Sequence, residues 1–253
     1  MSHLDLLIAA LAAVAAGAIN ALAGGGTLIS FPVLVSLGVP PVAANVTNAV
    51  ALCPGYFGAT LAQLPNLKGQ RRQLMLLVPI ATVGGLAGGV ILLHTGERVF
   101  TALVPWMIFI ASLLLAVQER VKKLVARRLA NPSHAHHSAI VAGLPIAAAA
   151  VYGGFFSAGM SVLLLAVLGL MLDDSLTRLN ALKQALAFSV NVAAAVFFLG
   201  SDQVVWSAAA LMAVGALIGG VLGGKVARKL PPAALRWTVV IAGMGIAIAY
   251  WLK

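Results

Sequence analysis

Residues 83–92 read VGGLAGGVIL, and residues 218–227 read IGGVLGGKVA. Gly84, Gly85, Gly88 and Gly89 return as Gly219, Gly220, Gly223 and Gly224, a shift of 219 − 84 = 135 residues. The same shift carries Gly24 onto Gly159 and Asn45 onto Asn180 without a gap. The repeated material is hydrophobic, so the chain reads as two copies of one membrane unit. Membrane proteins made of two inverted copies are mostly transporters that hold substrate between the copies near mid-bilayer.

Composition agrees. Apolar residues make up 62% of the chain and charged residues 9%, against about 25% charged in a soluble domain. Charge is missing from 6–23, 45–67, 73–96, 99–118, 138–172, 184–201 and 203–224. A bilayer crossing takes about 20 apolar residues, so 138–172 has room for two short helices. The net charge of +10 comes from basic residues in the gaps between these runs. That placement suits topogenic charge on one membrane face, not nucleic-acid binding. Cys53 is the single cysteine, so an intrachain disulfide is excluded, and a small buried residue is its simplest role. The opening MSHLD lacks a basic n-region, so 6–23 reads as a first membrane helix and not as a cleaved signal.

The expected fold is an all-α polytopic membrane protein with two inverted repeats. Repeat one, 1–117, holds a hairpin at 4–37 and helices 45–62, 73–93 and 98–117. A basic cytoplasmic linker spans 118–138. Repeat two, 139–253, holds a hairpin at 139–172 and helices 179–199, 204–227 and 233–252. Lys68, Arg71 and Arg72, the linker cations, and Lys225, Arg228, Lys229 and Arg236 share one face if the basic loops are cytoplasmic. Loop 63–72 is then inside while its copy at 198–207 is outside, which inverts the copies. Parity requires each hairpin to begin and end on one face, as two crossings or as two half-helices. Both termini then lie outside, and the expected location is a bacterial-type inner membrane.

Gly24, Gly25 and Gly26 break the first hairpin, at roughly 1 kcal/mol per glycine in a helix. A break inside the membrane exposes backbone N–H groups that need a partner, and a half-helix N-terminus favours an anion. Thr27 follows the first break, and Ser157, Gly159 and Ser161 mark its copy. Two such ends meeting from opposite sides make an anion cradle. Asn45 and Asn48 open the next helix and correspond to Asn180 and Lys183. An ionisable residue in a membrane segment is a functional candidate, and Lys183 is the foremost one. The alternatives are that Lys183 snorkels to the interface, that Asn45 and Asn48 are interfacial caps, and that the glycines only permit close packing. For the later glycine pairs, 84–89 and 219–224, packing is the preferred reading.

The six acidic residues all fall at helix ends or in loops, so no core carboxylate offers a proton relay. His134, His136 and His137 form an H-x-H-H run in the linker with no further ligand nearby. No metal or cofactor is expected. No Ser-His, Cys-His or H-E-x-x-H arrangement occurs, which argues against a membrane enzyme.

The segment AGAINALAGGGTLISFPVLVSLGVPPVAANVTNAV, 16–50, resembles the start of the sulfite exporter TauE/SafE family, also called the toluene sulfonate uptake permease family. GGFFSAGMSVLLLAVLGLMLDDSLTRLNALKQ, 153–184, resembles that family's second copy. The likeness implies movement of sulfur-containing anions or organic acids across the inner membrane, with sulfite, sulfoacetate and sulfonates as candidates. Partners are then a small anion and the lipid bilayer, and the oligomeric state stays open. An inside-negative potential drives export at about 2.3 kcal/mol per charge per 100 mV. An anion channel and a carrier of non-sulfur organic anions are the competing readings.

Overall fold

A computed structural model describes residues 1–22, 25–130, 142–226 and 232–252. Among them are ten α-helices and no strand. They are α1 His3–Leu22, α2 Thr27–Ser36, α3 Pro41–Gln63, α4 Arg71–Thr95, α5 Glu97–Leu129, α6 Gly143–Phe155, α7 Met160–Met171, α8 Leu176–Phe198, α9 Trp206–Val226 and α10 Pro232–Trp251. A single 3-10 turn, Leu64–Leu67, follows α3.

Local sequence explains the breaks. Gly25 has φ +99° and Gly159 has φ +81°, a region that a Cβ disfavours, so glycine separates α1 from α2 and α6 from α7. Gly38, at φ +86°, ends α2, and Pro41 starts α3 at a position where no N–H is required. Ser175 caps α8 by accepting from Arg178 N–H at 3.3 Å.

Four helices among the described residues are long and apolar enough to cross a bilayer: α1, α4, α5 and α8. By contrast α2 and α7, with 10 and 12 residues, are about 15–18 Å long and cannot cross alone. Helix α5 runs to Leu129, twelve residues beyond the expected end at 117. Its 33 residues reach about 50 Å. The basic segment 118–129, expected as part of a linker, is therefore the last turns of helix α5. Only 131–138 of the expected linker, with the three histidines, lies outside the described residues. The outer surface exposes Leu7, Leu11, Met75, Val83, Leu144, Val214 and Ile241, as a lipid-facing wall requires.

Glycines set the closest helix contacts. A Cβ on Gly215 would meet Ala10 O at 2.5 Å, and one on Gly219 would sit 2.7 Å from the Val14 carbonyl carbon. Because 10 pairs with 215 and 14 with 219, α1 and α9 run parallel. A Cβ on Gly84 would meet the Ala150 Cβ at 2.6 Å, and one on Gly88 would meet Phe155 N at 2.7 Å, so α4 and α6 also run parallel. The opposite face of α4 presses Gly85 onto α8, where a Cβ would meet Val190 O at 2.6 Å. Gly220 differs from Gly219 beside it, since a Cβ there meets nothing within 4 Å, and the surroundings of Gly223 and Gly224 lie outside the described residues.

The two ends of the bundle are tied by polar contacts. At one end Arg178, beside Asp174 at 2.7 Å, donates to Lys68 O at 2.6 Å, fastening the α3–α4 loop to the start of α8. At the other, Val42 N–H donates to Glu97 at 3.2 Å and Val205 N–H to Thr47 Oγ1 at 2.9 Å, gathering the starts of α3, α5 and α9.

Candidate functional site

A cavity of about 780 Å³ lies between α1, α3, α5, α7, α8 and α9. Gln63, Asn66, Thr177 and Lys122 line it towards the basic end. Deeper polar groups come from Asn20, Tyr56, Ser161, Asn180, Lys183 and Gln184, against apolar walls from Leu52, Leu165, Leu217 and Val221. Gly55, Gly58 and Gly220 also face it, and a Cβ at any of them meets nothing within 4 Å. The missing side chains leave that volume open.

Of the residues singled out from sequence, Ser161, Asn180 and Lys183 line this cavity. The α8 helix places Asn180 and Lys183 one turn apart, and the lysine Nζ donates to Asn180 Oδ1 at 2.8 Å. No carboxylate forms an ion pair with Lys183 among the described residues. The amide oxygen orients the lysine head group without supplying a counter-charge.

The remaining candidates gather elsewhere. Thr27 Oγ1 and Ser157 Oγ lie 2.9 Å apart, joining the two helix breaks directly. Asn48 Nδ2 donates to Thr27 Oγ1 at 3.3 Å, and Ser30 Oγ donates to Asn48 Oδ1. Asn45 Nδ2 donates to Phe155 O at 2.8 Å. These groups satisfy one another and lash the breaks together; none of them lines the cavity. Gly159 supplies the left-handed turn before α7. Gly24 lies outside the described residues.

Gly25 and Gly26 were expected to present free N–H groups to an anion. Both donate instead to Asn20 Oδ1, at 3.1 Å each. The amide of Asn20 thus fills the role of the expected anion while lining the cavity from α1. Asn20 is a cavity-lining residue that the sequence pattern did not single out. Its signal is a lone amide in an apolar helix, four residues before the triple glycine. Replacing it with leucine leaves two N–H groups unpaired, at about 1–3 kcal/mol each. Asn20→Leu is expected to lower the melting temperature by several degrees, and Asn20→Asp, which keeps an acceptor, to lower it less. Equal melting of wild type and Asn20→Leu in detergent would mean that the N–H groups find another partner.

A family model described as Sulfite exporter TauE/SafE matches residues 9–250. The chain is 26% identical over 230 residues to a probable membrane transporter protein of Haemophilus influenzae, an alignment spanning 88% of this chain and 85% of the relative. It is 22% identical over 234 residues to the probable membrane transporter protein YfcA of Escherichia coli K12, spanning 90% and 83%. A probable membrane transporter protein, ORF9, of a Sinorhizobium species is 24% identical over 241 residues, spanning 94% and 88%. No solved structure matches the chain.

Proposed function

The chain belongs to the sulfite exporter TauE/SafE family, and from that premise we propose that it is an inner-membrane secondary transporter that exports small sulfur-containing anions. That it is a membrane transporter and not an enzyme follows from the family and its relatives. The proposal adds the substrate class, the direction and the site.

One observation carries the substrate class: Lys183 sits on a helix able to cross a membrane, lines a large cavity, and pairs with an amide oxygen. An ammonium group kept in such a place without a counter-ion suits an anionic ligand. Ser161 and Gln184 add hydrogen-bonding groups, and the apolar walls suit the body of an organic sulfonate. A non-sulfur organic acid would meet the same surfaces, and it is the second reading that the cavity favours. None of the six acidic residues lines the cavity. Export of an anion down the membrane potential requires no proton relay there, at about 2.3 kcal/mol per charge per 100 mV.

The transport cycle we propose is a rocking of two inverted halves about the joined breaks. Its support is the matched packing of α1 along α9 and α4 along α6, with Thr27 meeting Ser157 between the halves. The basic end, with the cavity mouth, is the cytoplasmic one in this reading.

The test is a binding screen on detergent-purified protein. Methanesulfonate, sulfite and thiosulfate are compared with acetate, with a neutral sulfone and with a quaternary ammonium salt. A ligand at 100 times its dissociation constant stabilises the fold by about 2.7 kcal/mol. The expected result is a rise in melting temperature with sulfur anions and none with the neutral or cationic solutes. Flux of the binding anion out of the cavity-side compartment of proteoliposomes, faster when that side is negative, then supports export. Equal shifts with anions and cations would remove the basis for an anion carrier.

A further inference from the structure

We propose that Lys122 is a second substrate-binding cation, freed for the cavity because Arg236 holds the carboxylate with which Lys122 otherwise pairs. This rests on the anion-carrier reading above and adds to it a preference for doubly charged anions.

Lys122 and Lys183 line the same cavity from different helices, α5 and α8. Glu119, one turn before Lys122 on α5, does not line it. Its Oε1 lies 3.0 Å from Lys122 Nζ and also 3.0 Å from Arg236 Nη1 on α10. One carboxylate oxygen therefore serves two cations, and a full positive charge is left over. The two cations are not equivalent. The Arg236 side chain is 9% exposed and that of Lys122 is 34% exposed. A buried guanidinium without a counter-charge is strongly unfavourable, so Arg236 keeps Glu119. A part-exposed pair one turn apart on a helix is weak, so Lys122 can leave it. Lys122 can then turn towards an anion in the cavity while Glu119 stays neutralised. Lys122 is a binding residue in this scheme, whereas Glu119 and Arg236 are positioning residues.

With Lys183 on one wall and Lys122 on another, a ligand bearing two negative charges can engage both. A ligand with a single charge engages Lys183 alone.

The test is isothermal titration of the full-length protein at low ionic strength with methanesulfonate, one charge, and methanedisulfonate, two charges. Wild type is expected to bind the disulfonate at least tenfold more tightly. Lys122→Gln should weaken the disulfonate about tenfold and the monosulfonate less than threefold. Arg236→Met leaves Glu119 to Lys122 alone, and should weaken the disulfonate although no ligand contact is removed. Glu119→Gln combined with Arg236→Met removes the competitor, and should restore wild-type affinity or exceed it. A merely structural role for Arg236 predicts no such rescue. Lys122→Gln lies on a part-exposed helix turn, so it carries the test even if Arg236→Met does not fold. Unchanged disulfonate binding in Lys122→Gln overturns the proposal and leaves the anion carrier standing. Failure of wild type to bind either sulfonate overturns both.

Discussion

Lys183→Ala is expected to abolish anion-dependent stabilisation and to cut anion flux about a hundredfold, with no loss of fold. The Lys183 ammonium donates to Asn180 Oδ1 at 2.8 Å and faces the cavity beside Ser161 and Gln184. A charge-assisted hydrogen bond contributes about 1.5–3 kcal/mol, and each 1.4 kcal/mol is a factor of ten in affinity. Loss of the contact together with the field of the charge amounts to about two decades. The fold should not suffer, because the substitution removes an ammonium group that has no carboxylate partner among the described residues. Melting without ligand is expected to be unchanged or slightly higher. Lys183→Arg keeps the charge and should retain binding within about tenfold, since its broader, planar group meets the same anion less closely. Anion flux in Lys183→Ala within threefold of wild type would falsify the assignment and return Lys183 to the snorkelling role.

Gly88→Leu and Gly219→Leu are expected to destabilise the protein by at least about 4 kcal/mol each, or to prevent folding, because overpacking against backbone exceeds the usual range. A Cβ at Gly88 would overlap Val151 O and approach Phe155 N at 2.7 Å and the Gly154 carbonyl carbon at 2.9 Å. A Cβ at Gly219 would overlap Val14 O. All of these are backbone atoms, which cannot rotate aside as a side-chain tip can. The seams α4–α6 and α1–α9 would have to open, and helix association in a membrane depends on such close van der Waals approach. Gly220→Ala is the paired control. It neighbours Gly219, lines the cavity and has open space at its Cβ position. Thermal melting and gel filtration in detergent should find it within about 1 kcal/mol of wild type. Wild-type melting of Gly88→Leu would show that the seam is looser than these contacts.

The glycine seams were legible in the sequence for a physical reason. Small residues recurring at one helical spacing mark where helix axes approach, whatever the partner, and Gly84, Gly85, Gly88 and Gly219 all meet backbone or small side chains. Gly220 carries the same local pattern yet faces the cavity, because one residue along a helix turns the side-chain direction by about 100° away from the α1 seam that Gly219 meets. The breaks at Gly25 and Gly159 were equally legible, as a run of glycine between apolar half-helices has few other uses. Asn180 and Lys183 stood out because they are the copies of Asn45 and Asn48 and because an ionisable group in a membrane segment is costly to keep without a role.

Cross-helix partnership was not legible. Thr27, Asn45, Asn48 and Ser157 look like open donors and acceptors along the chain, yet Thr27 joins Ser157 and Asn48, and Asn45 donates to the Phe155 carbonyl, across separations of up to 130 residues. Asn20 takes the N–H groups of Gly25 and Gly26 because the chain turns back on itself there. Lys122 reads as one more charge in a basic run, and only the continuation of α5 to Leu129 brings it to the cavity that Lys183 also lines.

Composition and periodicity by themselves determined an all-helical membrane chain and its breaks. Those properties follow from the cost of backbone and charge in lipid, which acts on each segment separately. The tertiary structure alone decided which polar groups are consumed in holding the breaks together and which are left facing the cavity. Hydrogen bonding saturates: a donor already paired across a helix seam is no longer available to a substrate, and that pairing depends on distances in space that no spacing along the chain encodes.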